Sequence, residues 1–192
     1  MSNGEAKPSQ ALGFLTVLEH EQQGLVGGYL ILNTSGRPLE FHCTAPVKPS
    51  RAQRILFGPT LEPYLYGEQI GQTLLAKGSI EPLAVYTDLE RVLSVRDFVS
   101  LPVALVFAGN PSPPATDTTV APSQWRVDAP HRAGPHLHSF EIGTNRLAVA
   151  ANRAADEGRI AGALDTLATF DLSEPFERIR EAVEEAHRGP RG

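Results

Sequence analysis

Apolar positions in this chain fall into short runs set off by glycine, proline and small polar residues. Gly13 to His20 contains FLTVL, a compact apolar run of the kind that forms a buried strand. Leu25 to Asn33 is rich in β-formers, and Gly27-Gly28 near its start predict a bulge or a close backbone approach. Asn33-Thr34-Ser35-Gly36 reads as a turn, and Pro38 opens a third strand that continues through Leu39 to Ala45. Alternation there assigns Leu39, Phe41 and Cys43 to the core face and Glu40, His42 and Thr44 to the other.

Pro46 and Pro49 end that strand, and Ser50 caps a short helix carrying Ile55 and Leu56. Thr60 is the expected N-cap of the next helix, with Pro63 in its first turn and Gly78 as its C-terminal cap. Tyr64, Gly67, Ile70, Gly71, Leu74 and Leu75 share one helical face. An interior glycine costs about 1 kcal/mol relative to alanine, so two of them four apart predict that another backbone packs close. The chain's own sheet is the expected neighbour, and a partner protein the sharper alternative. Leu83–Tyr86, a helix over Leu89–Phe98 and the continuous apolar run Leu101–Phe107 then form a strand, crossover helix, parallel strand unit. A strand over Leu137–Ile142, a turn at Gly143, an Ala-rich helix over 147–168 and a final helix lined by Phe176, Ile179, Val183 and Ala186 complete the pattern.

These elements predict one α/β domain over 11–187, preceded by a flexible arm at 1–10 and followed by a tail at 188–192. Its mixed sheet has about five to six strands, antiparallel at first and then βαβ, with flanking helices. Residues 109–135 break the pattern: prolines at 111, 113, 114, 122, 130 and 135 mark a flexible insertion, with Trp125 as its return anchor.

Composition narrows the function classes. The 192 residues are 41% hydrophobic and 20% charged, with a formal net charge of -5. That acidity argues against a broad nucleic-acid surface, which needs clustered Lys and Arg. A single cysteine, Cys43, excludes an intrachain disulfide and multi-thiolate zinc sites. No apolar run is long enough to span a bilayer, and cytoplasmic residence is the default expectation.

Candidate chemistry is sparse. His136 and His138 lie on one face of a strand, with Glu141 three residues on and His131 upstream, a weak metal constellation. A cupin-like metal motif has a similar His-x-His followed by Glu, but with a longer gap. Cys43 has His42 beside it, yet consecutive strand residues face opposite ways, so an inert thiol is expected. Gly24, Gly27 and Gly28 precede a strand, whereas a phosphate loop must follow one. Lys48, Arg51 and Arg54, with Lys77 further on, make a modest positive cluster able to meet an anion, with solvation the simpler reading. Glu174–Arg178 and Arg180–Glu184 read as ordinary solvated pairs on the last helix.

The order of elements over 11–107 resembles the ribonuclease-H-like fold, with three antiparallel strands ahead of a mixed sheet. That resemblance implies a two-metal carboxylate site. Asp88, ending the fourth strand, matches one of its positions, and Glu68 on the long helix is a possible second. The first strand carries no acid, and Glu19 stands at its end. Separately, GGYLILNTSGRPLEFHCTAPVKP, LFGPTLEPYLYGEQIGQTLL and DLSEPFERIREAVEEA resemble a conserved bacterial family of unknown activity, which implies no site residues. The expectation from sequence is a non-catalytic binding or scaffolding module. It acts through a protein partner or self-association at the face of Gly67 and Gly71, with no cofactor, no membrane and no nucleic acid. The alternative is a divalent-metal-dependent nuclease or phosphotransfer enzyme using Asp88, Glu68 and Glu19.

Overall fold

A computed structural model describes residues 10–107, 136–164 and 170–188. The expected arm before residue 10, the insertion at 109–135 with Trp125 and His131, and the tail after 188 lie outside the described residues. The chain forms strands β1 (Ala11–His20), β2 (Gly24–Asn33) and β3 (Pro38–Cys43), then helix α1 (Arg51–Phe57). A π-helix (Pro63–Gln72) continues into α2 (Thr73–Lys77). β4 (Val85–Thr87), a 3₁₀ helix (Glu90–Asp97) and β5 (Val103–Val106) follow. Strands β6 (Leu137–Ile142) and β7 (Asn145–Ala150) precede α3 (Asp156–Leu164) and α4 (Glu174–Arg188).

The strands make one mixed sheet of seven, in the order β3-β2-β1-β4-β5-β7-β6. β1 pairs antiparallel with β2 and parallel with β4, and β4 pairs parallel with β5. β7 returns antiparallel beside β5 and carries β6 on its outer side. The α/β class with flanking helices therefore stands, with seven strands in place of five to six. The surplus comes from Asn145–Ala150. Its alanines suggest a helix over 147–168, but Leu147 and Val149 alternate into the core and the segment pairs with a strand on each side. Sheet pairing outweighs the small helix preference of alanine, and the helix begins only at Asp156.

Burial on both faces gives the sheet its runs of apolar residues. Leu12, Phe14, Val26, Leu30 and Tyr86 face α3 and α4, where they meet Ile160, Phe176, Ile179 and Val183. Leu15, Val17, Tyr29, Ile31 and Val85 face the other way, against Leu65, Ile70, Leu74, Val92 and Val95. Pairing of β1 with β2 is continuous, so Gly27-Gly28 form no bulge. A Cβ at Gly27 would strike Ile70, and one at Gly28 would strike Ile179, so these glycines let helices approach from both sides. The register shift lies between Ile31 and Leu32, opposite β3. β3 is an edge strand, and Leu39 and Phe41 are exposed where the alternation placed them in the core.

One expected cap also differs. The Thr60 hydroxyl donates to the carbonyl of Phe57 and does not cap the following helix. Gly78 does follow α2, with its N–H donating to the carbonyl of Leu75.

A buried ion pair ties the layers. Arg96 of the 3₁₀ helix donates from Nε to Asp156 Oδ2 at 2.6 Å and from Nη2 to Oδ1 at 3.2 Å, and from Nη1 to the Val99 carbonyl at 2.7 Å. The side chains are 15% and 6% exposed. Asp156→Ala strands the guanidinium and is expected to destabilise the fold by about 3–5 kcal/mol in urea unfolding. A second comparison tests packing at glycines. A Cβ at Gly67 would lie 2.7 Å from Ser94 Oγ and 2.9 Å from its carbonyl carbon, whereas none within 4 Å faces Gly158. Gly67→Ala is expected to cost about 1–3 kcal/mol, and Gly158→Ala to raise stability by about 0.4–1 kcal/mol.

Candidate functional site

Three elements meet at Asp88. β1 and β4 run parallel and end on the same edge of the sheet, so the residue after β4 sits beside the C-terminal half of β1. Thr16, buried in β1, donates its hydroxyl to Asp88 Oδ1 at 2.6 Å. Arg180 of α4 donates a guanidinium N–H to Asp88 Oδ2. Asp88's side chain is only 13% exposed, so this charge-assisted pair is screened less than a surface one. β1 is also where the chain's course divides, with β2 on one flank and β4 on the other. The crevice outside strand ends at such a point is where open α/β sheets take ligands.

Arg91 follows three residues after Asp88 on the opposite layer. Its Nη1 donates to the Tyr66 hydroxyl at 3.3 Å, its Nε lies 3.9 Å from Glu62, and its guanidinium lies 5.7 Å from the centre of the Tyr66 ring. The Tyr66 hydroxyl, followed by the Glu62 carboxylate, holds its pKa above the ordinary arginine value. Glu19 adds a smaller attraction in the same direction. Tyr86, two residues before Asp88, is fully enclosed, and burial pushes its phenol above the usual range.

The other candidates do not gather around Asp88. Glu68 is exposed on the π-helix, which covers the sheet face opposite α4. Glu19 is exposed near the end of β1. Among the described residues, no three His, Cys, Asp or Glu side chains form a group able to hold a metal ion. Asp88, Glu68 and Glu19 make no such group, and neither do His136, His138 and Glu141. His138 instead meets Glu157 of α3 at 2.6 Å, while His136 and Glu141 are exposed. Cys43 is half-buried against the core, and His42 turns away to Glu40 at 3.0 Å. That contact, then the Ser79 N–H, holds the Glu40 carboxyl below its usual range.

Gly67 and Gly71 are both buried, and a Cβ at Gly71 would lie 2.7 Å from Val95. The chain's own 3₁₀ helix covers this face, which removes the feature that favoured a partner or a second copy.

Thr16 and Arg180 are the residues that sequence reasoning missed. Thr16 is the one polar residue inside FLTVL. Arg180 read as a solvated partner of Glu184, but its fork reaches Asp88. Glu174 and Arg178 do pair as spaced, at 2.8 Å.

No protein-family model and no curated protein matches the chain. Among solved structures, it is similar to an endonuclease V of Ciona intestinalis in complex with DNA containing an inosine. Identity is 16% and the TM-score 0.36, over 54% of this chain and 47% of that one, so this chain spans about half the length of that protein. A ribonuclease-H-like fold is not established by this likeness. With the glycine face closed by the chain's own 3₁₀ helix, the expectation of a non-catalytic scaffold acting through that face is withdrawn, and so is the expectation of no nucleic acid, which rested on the acidic net charge alone.

Proposed function

We propose that the chain is a nuclease or phosphotransfer enzyme whose reaction centre is Asp88. The observation that carries this reading is the convergence of the Thr16 hydroxyl and the Arg180 guanidinium on one largely enclosed carboxylate. Strand order supports it further, since three antiparallel strands precede β4 and β5 as the ribonuclease-H-like resemblance implies.

The roles follow from reach and charge. Asp88 lies at the C-terminal end of its strand and takes the proton of the water or hydroxyl that attacks phosphorus, the work of a general base, while the P–O ester bond breaks and the departing oxygen takes a proton from solvent. Thr16 fixes the carboxylate's orientation through its short hydrogen bond. Arg180 balances the carboxylate in the free protein. With substrate present, its planar fork turns to the phosphate oxygens, where charge grows during the reaction. The described residues do not fit a paired-metal site. A single magnesium ion is a different demand, because proteins commonly hold it through one carboxylate with waters and substrate phosphate. Asp88 and the Thr16 hydroxyl are the hard oxygens that would hold it, and it would neutralise charge on the phosphate.

The test is cleavage of end-labelled single-stranded and duplex DNA and RNA, with magnesium, with manganese and with chelator. Asp88→Asn keeps an acceptor for Thr16 but loses the base, and kcat is expected to fall at least about 100-fold with the melting temperature little changed. Cleavage by Asp88→Asn at the wild-type rate, or no cleavage of any of these substrates by the wild-type chain, would overturn the reading.

A further inference from the structure

α1 is a helix with no buried residue. It forms for local reasons: Ser50 accepts from the Gln53 N–H, Gln53 accepts from the Ser50 N–H, and the Gly58 N–H closes the far end on the Arg54 carbonyl. Phe57 stacks on Tyr64 with ring centres 4.3 Å apart and braces α1 against the π-helix. At its tip Ile55 is 70% exposed and Leu56 81%, far beyond Phe98 at 39% and the other large apolar side chains. Folding of the chain gains almost nothing from either one.

Two further facts say what could cover them. Residues 44–61 hold Lys48, Arg51 and Arg54 and no acidic side chain, in a chain whose net charge is -5. The stretch of chain that carries the apolar tip is thus basic and complementary to an anion. Position is the second fact. β3 is antiparallel to β2, which is antiparallel to β1, so β3 ends on the same edge as β1 and β4. The Leu25–Val47 bridge and the Lys48 ammonium, which donates to the Gln22 carbonyl, hold the chain at that edge as it leaves for α1. α1 therefore stands on the edge that carries Asp88.

We propose that Ile55 and Leu56 form an apolar wedge that inserts between neighbouring bases of a single-stranded or locally opened nucleic acid. Lys48, Arg51 and Arg54 take the flanking phosphates. This rests on the reading of Asp88 as a phosphodiester centre, and it adds that the substrate is a strand with unstacked bases. Aliphatic side chains inserted at a base step are an established means of opening a stack. A bilayer fits less well. The two side chains offer fewer carbons than one myristoyl chain, which by itself binds membranes only marginally.

The probe is a fluorescein-labelled single-stranded oligonucleotide carrying 2-aminopurine, whose emission rises when its base unstacks. The wild-type chain is expected to bind it and raise that emission. Ile55→Ser/Leu56→Ser, at positions that support no packing, is expected to bind about tenfold more weakly and to lose the rise. Arg51→Ala/Arg54→Ala is expected to reduce the slope of log affinity against log salt by about 0.7 per arginine. The wedge is overturned if the wild-type chain leaves the emission unchanged, or if the double-serine variant matches it. It is also overturned if that variant loses only binding to phosphatidylserine vesicles. A chain that unstacks the probe but cleaves nothing supports the wedge and overturns the reaction at Asp88. A chain that cleaves through Asp88, with emission indifferent to Ile55 and Leu56, overturns the wedge alone.

Discussion

Everything in this structure is referenced to β1. It is hydrogen-bonded on both sides, antiparallel to β2 and parallel to β4, and its residues 11 to 17 are buried. Phe14 anchors one face, 5.5 Å from the Tyr86 ring and 5.7 Å edge-on from Phe176. Leu15 and Val17 anchor the other. Side chains alternate along a strand, so a slip of one residue against β4 would exchange the two sets and turn Thr16 away from Asp88. Correct hydrophobic register and correct placement of the candidate site are therefore the same condition.

The elements with strong local signals were legible in the sequence. The turn before β3 is an example: Gly36 has φ of 75°, and Asn33 accepts the N–H groups of Ser35 and Arg37. So is α4, whose Phe176, Ile179 and Val183 fall on one face and are buried. Legibility fails where long-range pairing decides. Asn145–Ala150 has helical composition and becomes a strand because β5 and β6 both offer hydrogen bonds to it. The glycines of β2 and of the π-helix advertise close approach, but not which element approaches. That partner is Ile70 or Ile179 in one case and Ser94 in the other.

The candidate site was half legible for the same reason. Asp88 stands out as an acid ending a strand. Thr16 carries no signal beyond being polar in an apolar run, and Arg180 has a ready local explanation in Glu184. Spacing along a helix reports neighbours on that helix and says nothing of a carboxylate delivered from elsewhere. Charge balance around Asp88 is a property of the assembled layers: sheet from one side, α4 from the other.

That assembly gives the site a place in the order of folding. The β1–β2 hairpin closes across a turn of three residues, Glu21 to Gln23, and needs little chain to be brought together. Thr16 and Asp88 are 72 positions apart, and Asp88 and Arg180 are 92 apart. Contacts of such separation bear the largest loop-closure entropy and form late. Much of the sheet can thus exist before the carboxylate has its counter-charge. Local opening of α4 would return the molecule to that stage without melting the hairpin. The Asp88–Arg180 pair is in this sense a report that the last layer has docked, and partly folded chains carry the carboxylate without its counter-charge.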